Sequence, residues 1–384
     1  MHTFIKNLLN GQAVEWRTLG EVVLPTNNIK WHESDLSYRY IDLSSVNKDN
    51  NNIGETLEIT SKNAPSRAQK IVKKDDIIFA TTRPTQMRSA LIPPNLDGQI
   101  ASTGYCILRA NQNEVLPKWI YYNLQINEFK IYLQDKQSGT AYPAISDGLI
   151  KQFQIPIPPL SVQSQIVQIL DAFTELNDQL TTELSMRQKQ YQYYRDFLLS
   201  EHELAKVGFE WKTLGKLGII NRGKRVVKSQ LTTEGVYPVY QNSLQPLGYF
   251  DKSNVKANTT FMITAGAAGE IGYSNCAFWS ADDCYYFDCP KDVLDDRFLY
   301  HSLKKQQNKI FSQVRKASIP RLGRNSVENI KIPIPPLSVQ SQIVAILDKF
   351  DHLTSSITDG LPKEIELRRK QYEHYRELLL GFDN

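Results

Sequence analysis

Arginine, lysine and side-chain amides gather in short stretches of this sequence, and these are residue types suited to holding phosphates and reading base edges. The first set is Asn27, Asn28, Lys30, Trp31 and His32, followed by Arg67, Lys70, Arg83, Gln86 and Arg88. The second is Arg222, Lys224, Arg225 and Lys228, then Gln241 and Asn242, then Arg315, Lys316, Arg321 and Arg324. Arg and Lys pair with phosphate oxygens, Arg binds guanine in a bidentate way, and Asn or Gln does the same for adenine. The candidate DNA-binding residues are therefore Lys30, Trp31, Arg67, Arg83, Gln86 and Arg88 in one half of the chain. In the other half they are Arg222, Lys224, Arg225, Lys228, Gln241, Asn242, Lys316, Arg321 and Arg324. A solvated surface competes for each residue taken singly. The stretches 222–228 and 315–324 are the best candidates because each packs several cations into loop-like sequence.

Other chemistry is not evident. There is no nucleophile elbow, Walker A loop or HExxH sequence. Nor is there an Asn-Pro-Pro-aromatic stretch of the kind used by amino methyltransferases. Gly266, Gly269 and Gly272 follow a strand-like run, but the residues after them, Tyr273 to Trp279, read as another strand. A hairpin connection is expected there rather than a phosphate cradle, which needs a helix next. The histidines (His2, His32, His202, His301, His352, His374) are scattered, and Cys106, Cys276, Cys284 and Cys289 form no CxxC pair. Free thiols are expected, with a Cys284–Cys289 disulfide as the alternative. The chain reads as non-catalytic by itself, with no catalytic residues, metal site or cofactor of its own.

The overall charge does not name a partner. Lys plus Arg number 45 against 41 for Asp plus Glu, a net charge of +4 over 384 residues. The opening MHTFIKNLLNG has too short an apolar core for a secretory signal. No run approaches the roughly 18 apolar residues of a membrane span, so a cytoplasmic location is expected.

The elements that position these residues emerge from internal repeats. Residues 155–171, IPIPPLSVQSQIVQILD, recur at 332–348 with one difference, at an offset of 177. A second echo pairs Arg187-Gln-Lys-Gln-Tyr191 through Tyr194-Arg195 with Arg368-Arg-Lys-Gln-Tyr372 through Tyr375-Arg376, at an offset of 181. A third pairs Glu15-Trp16-Arg-Thr-Leu-Gly20 with Glu210-Trp211-Lys-Thr-Leu-Gly215. The chain is thus two variable regions, each opened by a Glu-Trp motif and closed by a near-constant segment.

The constant segments read as long helices. The Pro158-Pro159 and Pro335-Pro336 pairs precede them, and Ser161 and Ser338 are expected N-caps. Val162, Ile166, Ile169, Phe173, Leu176 and Leu180 mark a heptad seam, repeated from Val339 through Ile357 to Leu379. Gly360 and Pro362 predict an interruption in the second copy. About 40 residues give each helix a length of roughly 60 Å. A variable region with a radius of gyration of about 14 Å cannot bridge that distance, so the helices are expected to pair antiparallel. Their cations, among them Arg187, Lys189, Arg195, Arg368, Arg369 and Lys370, sit among Glu and Gln and read as a solvated or subunit-contacting face.

The variable regions mix strands and helices. Strands are expected at 76–80, 105–108, 260–263 and 285–287, short helices at 117–124 and 296–303, and turns at 47–54 and 93–98. The fold class is α+β: two mixed α/β recognition domains separated by two long antiparallel helices in a coiled-coil-like spacer, with a pseudo-twofold repeat. The expected domains are 1–154 and 206–331, with helical segments at 155–205 and 332–384.

The Glu-Trp-x-Thr-Leu-Gly openings, the IPIPPLSVQSQIV blocks and the order of the repeats resemble the specificity subunit of type I restriction–modification systems. The resemblance implies two target recognition domains, each binding half of a bipartite double-stranded DNA site. It also implies that the conserved helices space those domains and dock two methyltransferase subunits, with restriction subunits joining the complex. S-adenosylmethionine, ATP and Mg chemistry would belong to those partners. With one DNA turn at about 34 Å, a rod near 60 Å implies half-sites displaced by about one to two turns. The alternative from another class is a coiled-coil scaffold whose variable domains bind protein or carbohydrate.

Overall fold

The computed structural model describes residues 3–47, 50–356 and 359–382. His2, residues 48 and 49 of the expected 47–54 turn, and the seam position Ile357 lie outside the described residues. The chain forms two compact units, residues 1–179 with 366–384, and residues 180–365. A continuous 39-residue helix, Leu160–Leu198, gives its first half to one unit and its second half to the other. The second constant segment is broken as expected: one helix spans Leu337–Ser355 and the next Leu361–Leu380. Pro362 falls in the first turn of the latter, where its missing N–H costs nothing. The serine caps are not used. The helices begin two residues earlier than such caps would allow, at Leu160 and Leu337, and the N-cap before the second is Pro336, which has no side-chain bond to offer.

Both ends of each variable region meet in a two-stranded closure. Glu15–Thr18 pairs antiparallel with Gln154–Ile157, and Glu210–Thr213 with Lys331–Ile334. The registers match, Glu15 opposite Ile157 and Glu210 opposite Ile334. The Pro residues of the IPIP sequence are tolerated because these strands have only one neighbour. The constant glutamines then lock each long helix to its domain. Gln163 Oε1 accepts from the Leu116 amide at 2.9 Å, while its Nε2 donates to the carbonyls of Glu114 at 3.0 Å and Pro158 at 2.8 Å. Gln340 repeats the pattern with the Asp295 amide at 2.9 Å and the carbonyls of Val293 at 2.9 Å and Pro335 at 2.8 Å. Leu116 and Asp295 are the N-cap residues of the short helices Pro117–Asn123 and Asp296–Lys305, so each glutamine fixes the start of its domain helix.

The first unit holds two four-stranded sheets besides its closure. One runs in the order Val23–Leu24, Tyr105–Ala110, Ile77–Ala80, Ser89–Leu91; the other Leu57–Ile59, Tyr38–Ile41, Ile100–Ser102, Ala68–Ile71. The second unit has a four-stranded sheet, Ile220–Arg222, Cys284–Phe287, Thr259–Ile263, Ile271–Ser274, and a three-stranded one, Gly248–Phe250, Tyr237–Tyr240, Trp279–Ser280. The central strands Ile77–Ala80 and Thr259–Ile263 are buried at every position, which is why neither alternates between apolar and charged residues. Thr259–Ile263 and Ile271–Ser274 form an antiparallel hairpin, so the glycine run is a strand connection. All four cysteines are free thiols, and Cys276 alone among them is exposed.

The helix seam is covered partly by the domains themselves. Val162, Ile166 and Leu170 enter a core with Trp119, Phe129, Leu379 and Leu380. Phe173 stacks on Tyr375 at 5.4 Å, while Phe382 meets Trp119 at 5.9 Å, and the Trp119 indole donates to the Pro156 carbonyl. Within this unit the two helical segments therefore run antiparallel. In the other unit Tyr194 stacks on Phe350 at 5.3 Å. Leu176, in the middle of the seam, is 37% exposed.

Candidate nucleic-acid interface

In the second unit, five stretches far apart in sequence are stitched into one ribbon by backbone hydrogen bonds. The Lys224 amide donates to the Ser280 carbonyl at 2.8 Å, and the Ala281 amide to Tyr240 at 2.9 Å. The Ala267 amide donates to Asn242 at 2.9 Å, and Gly266 to Pro320 at 3.0 Å. Arg315 and Arg321 exchange backbone bonds at 2.8 and 3.2 Å, closing the last loop. Two glycines make this close approach possible. A Cβ on Gly223 would lie 2.0 Å from the Ala281 carbonyl oxygen, and one on Gly266, at φ +81°, would lie 2.7 Å from that of Asn242.

The ribbon collects Arg222, Lys224, Gln241, Asn242, Arg315 and Arg321, with Lys316 in the same closed loop. Arg222 Nε donates to the Asp282 carbonyl at 3.2 Å, which holds its side chain without neutralising it. Among the described residues no carboxylate pairs with Lys224, Arg225, Lys228, Arg315, Lys316 or Arg321, and all six are exposed. Arg225 and Lys228 continue the exposed loop, where Lys228 begins a short 3-10 turn. Arg324 is different: its Nε pairs with Glu328 at 2.7 Å on its own helical turn.

In the first unit the candidates fall into two groups. Trp31 and Arg67 meet at Ala68, and Lys30 precedes Trp31 in the chain. The Trp31 indole donates to the Ala68 carbonyl at 2.8 Å and meets Tyr38 edge-on at 5.7 Å, so its ring belongs to a small core. Lys30 pairs with Glu33 at 3.1 Å, and Arg67 is exposed. Lys70 is a structural cation, with Nζ at 2.6 Å from both Asp147 and the Tyr105 carbonyl. Arg83, Gln86 and Arg88 share one loop, in which Arg83 (φ 50°) and Met87 (φ 54°) adopt left-handed backbone around a 3-10 turn. Two such non-glycine residues store strain that the surroundings must hold in place. Arg88 donates to the Leu43 carbonyl at 2.7 Å and to Gln86 Oε1 at 3.0 Å.

The loop 138–144 carries the features that sequence reasoning missed. Ala144 bridges both Ser138 and Thr82, just as Arg321 bridges both Arg315 and Ala265. Ser138 and Ala144 stand at the same 177-residue offset from Arg315 and Arg321 as the constant blocks, so counting back from those blocks would have aligned the loops. Tyr142 on this loop is 72% exposed, and the Arg83 guanidinium lies 5.3 Å from its ring. Neighbouring threonines confirm the equivalence. Thr81 donates from both amide and hydroxyl to the Gly104 carbonyl, and Thr264 does the same to Asp283.

Elsewhere in the second unit, charge is confined by a largely buried network. Asp348 on the long helix accepts from Arg297 at 2.7 Å and His301 at 2.6 Å, and Arg297 also reaches Asp351 at 2.6 Å. Burial pushes the His301 imidazole below its ordinary range and favours the neutral ring. Burial would raise the Asp348 carboxyl, but hydrogen bonds from His301 and Arg297 outweigh it and hold it low. The first unit repeats the arrangement, with Asp171 accepting from Lys118 at 2.7 Å and Tyr122 at 2.6 Å. Among the described residues no cluster of His, Cys, Asp or Glu could hold a metal, and no helix is long and apolar enough to cross a membrane.

Comparison with known proteins bears directly on this arrangement. Residues 13–186 and 206–367 match the type I restriction modification DNA specificity domain. A putative type I restriction enzyme specificity subunit of Haemophilus influenzae is 31% identical, covering 99% of this chain and 98% of its own length. The EcoR124I/EcoR124II specificity subunit of Escherichia coli is also 31% identical, over 99% of this chain and 97% of its own. In fold, the chain is similar to a type I restriction–modification system S subunit from M. genitalium, with a TM-score of 0.66 at 18% identity, covering 98% of each chain.

Proposed function

Because the chain belongs to the type I restriction–modification DNA specificity family, we propose that it reads a bipartite duplex, one half-site by each unit. The ribbon in the second unit carries this reading, since it gathers cations and amides from three stretches into one strip whose cations have no carboxylate partner among the described residues. Its cations hold phosphates, while Arg222, Gln241, Asn242 and Arg321 carry the donor and acceptor groups suited to base edges. In the first unit the same work falls to Arg83, Gln86, Arg88 and the Ser138–Ala144 loop, with Lys30, Trp31 and Arg67 in the turns beside the second sheet. The helix Leu160–Leu198, at roughly 60 Å, sets how many base pairs are left untouched between half-sites. The recognition domains are 1–154 and 206–331. Two methyltransferase subunits and the restriction subunits dock on the constant segments and supply the S-adenosylmethionine, ATP and Mg chemistry, which leaves this chain non-catalytic.

Joint replacement Arg222→Ala with Lys224→Ala tests the ribbon. Loss of up to two phosphate contacts flattens the plot of log K against log salt by as much as about 1.8. A slope equal to that of the unaltered protein would show that this loop touches no phosphate.

A further inference from the structure

The sequence assigns Arg195 to a solvated or subunit-contacting helix face, but its side chain is only 14% exposed. Its guanidinium lies 5.5 Å from the centre of the Tyr191 ring, and the acid that pairs with it is the adjacent Asp196, at 3.3 Å. It lines a cavity of about 630 Å³ whose other walls include Gln188, Gln192, Tyr273, Tyr300 and Lys304. Lys304 donates to Gln307 at 2.9 Å, burial pushes its ammonium down, and Asp351, the carboxylate in this cavity, is already held by Arg297.

Arg376 holds the equivalent place in the other unit. It too is 14% exposed, lies 5.4 Å from the Tyr372 ring and pairs with its neighbour Glu377, at 3.4 Å. Its Nε is buried with no hydrogen-bond acceptor, and it lines a cavity of about 590 Å³ together with Lys130 and Met87. Each cavity thus combines a guanidinium on an aromatic face with an ammonium, and both retain unused donors. Such a site fits a compact, multiply charged oxyanion.

Two further observations choose the anion. Both arginines belong to the Tyr-x-x-Tyr-Arg echo, which is retained although the two domains diverge in sequence. A contact made identically by two domains of different sequence carries no base information. Each cavity also adjoins its unit's candidate interface: Tyr240 and Leu244 flank Gln241 and Asn242, and Met87 lies between Gln86 and Arg88.

We propose that Arg195 with Lys304, and Arg376 with Lys130, anchor phosphates of the DNA backbone, so that the long helices bind the duplex as well as spacing the domains. This rests on the duplex-binding reading above. A carboxylate of a protein partner would satisfy the same cations, and adjacency to the interface favours phosphate. Glu373 and Glu377 line the cavity of the first unit, and Glu377 accepts from the Asn127 amide at 3.0 Å, so the stronger anchor is the one at Arg195.

The test is binding of the full chain to a mixed-sequence duplex over a salt series. Arg195→Gln lowers the salt slope by about 0.9 and the affinity roughly threefold, equally on target and non-target duplexes, and Arg376→Gln does the same more weakly. Lys304→Gln, on a different helix, lowers the slope as well and separates lost contact from local misfolding. Slopes unchanged in both Arg195→Gln and Lys304→Gln overturn the proposal. Unchanged slopes with loss of a co-purifying protein partner overturn it in favour of a protein carboxylate. If the unaltered chain shows no salt-dependent duplex binding, the duplex-binding reading fails and this inference falls with it.

Discussion

Gln340→Leu destabilises the second unit by about 3 kcal/mol or more, and Gln163→Leu does the same to the first. Leucine nearly matches the shape of glutamine but leaves one amide and two carbonyls without a partner in each case. Both glutamines are fully buried, so water cannot replace the lost bonds without opening the helix–domain contact. Because each glutamine fixes the N-cap residue of its domain helix, the damage is local to one unit. Hydrogen exchange reads this directly. Gln340→Leu deprotects the helix 296–305 and spares the helix 117–123, whereas Gln163→Leu does the reverse. Uniform protection in both variants would contradict the assigned role.

The second large effect is at Arg297. Replacement by leucine leaves Asp348 and Asp351 facing each other beside His301 and costs about 3 kcal/mol, the low end for breaking a buried pair because Asp348 is 40% exposed. The pH dependence carries the sign. In the unaltered protein the Asp348 carboxyl is held below its ordinary value of 3.8, so its stabilisation is present above that value and is lost as pH falls through the lower folded one. Without Arg297 this advantage shrinks, and protonation of a crowded carboxylate brings relief. The destabilisation is therefore largest near neutral pH and narrows toward pH 4. Restoring one neutral partner with Asp351→Asn should recover part of the loss. His301 works in the same acid-sensitive direction. Its folded value is depressed below 6.5, so the neutral ring's stabilisation is complete above 6.5 and is lost as pH falls from there.

The sequence revealed the large-scale plan because exact repetition is independent of environment. The Glu-Trp and IPIP motifs could be recognised as boundaries, and they pair strand to strand. The break at Gly360–Pro362 was legible for a similar reason, since proline chemistry acts locally. The caps were not, because Pro159 and Pro336 can start a helix by their fixed backbone angle and leave Ser161 and Ser338 nothing to do. The ribbon was only half legible. Its cations were visible, but their convergence depends on backbone bonds between residues such as Lys224 and Ser280, and no local pattern encodes those. The Ser138–Ala144 loop lacks the charges of its counterpart and was invisible to a search for cations. The low exposure of Arg195 was not legible because helical position alone cannot tell a solvated face from one turned into a cavity.

The most direct test of the central claim is selection of bound duplexes from a randomised library by the full chain, alone and with one helical turn added to both long helices. The account predicts a site of two short, different sequence blocks around an unspecified spacer. It also predicts that the added turns change the spacer length and leave both blocks intact. A single contiguous motif, or blocks that change while the spacer stays fixed, would contradict it.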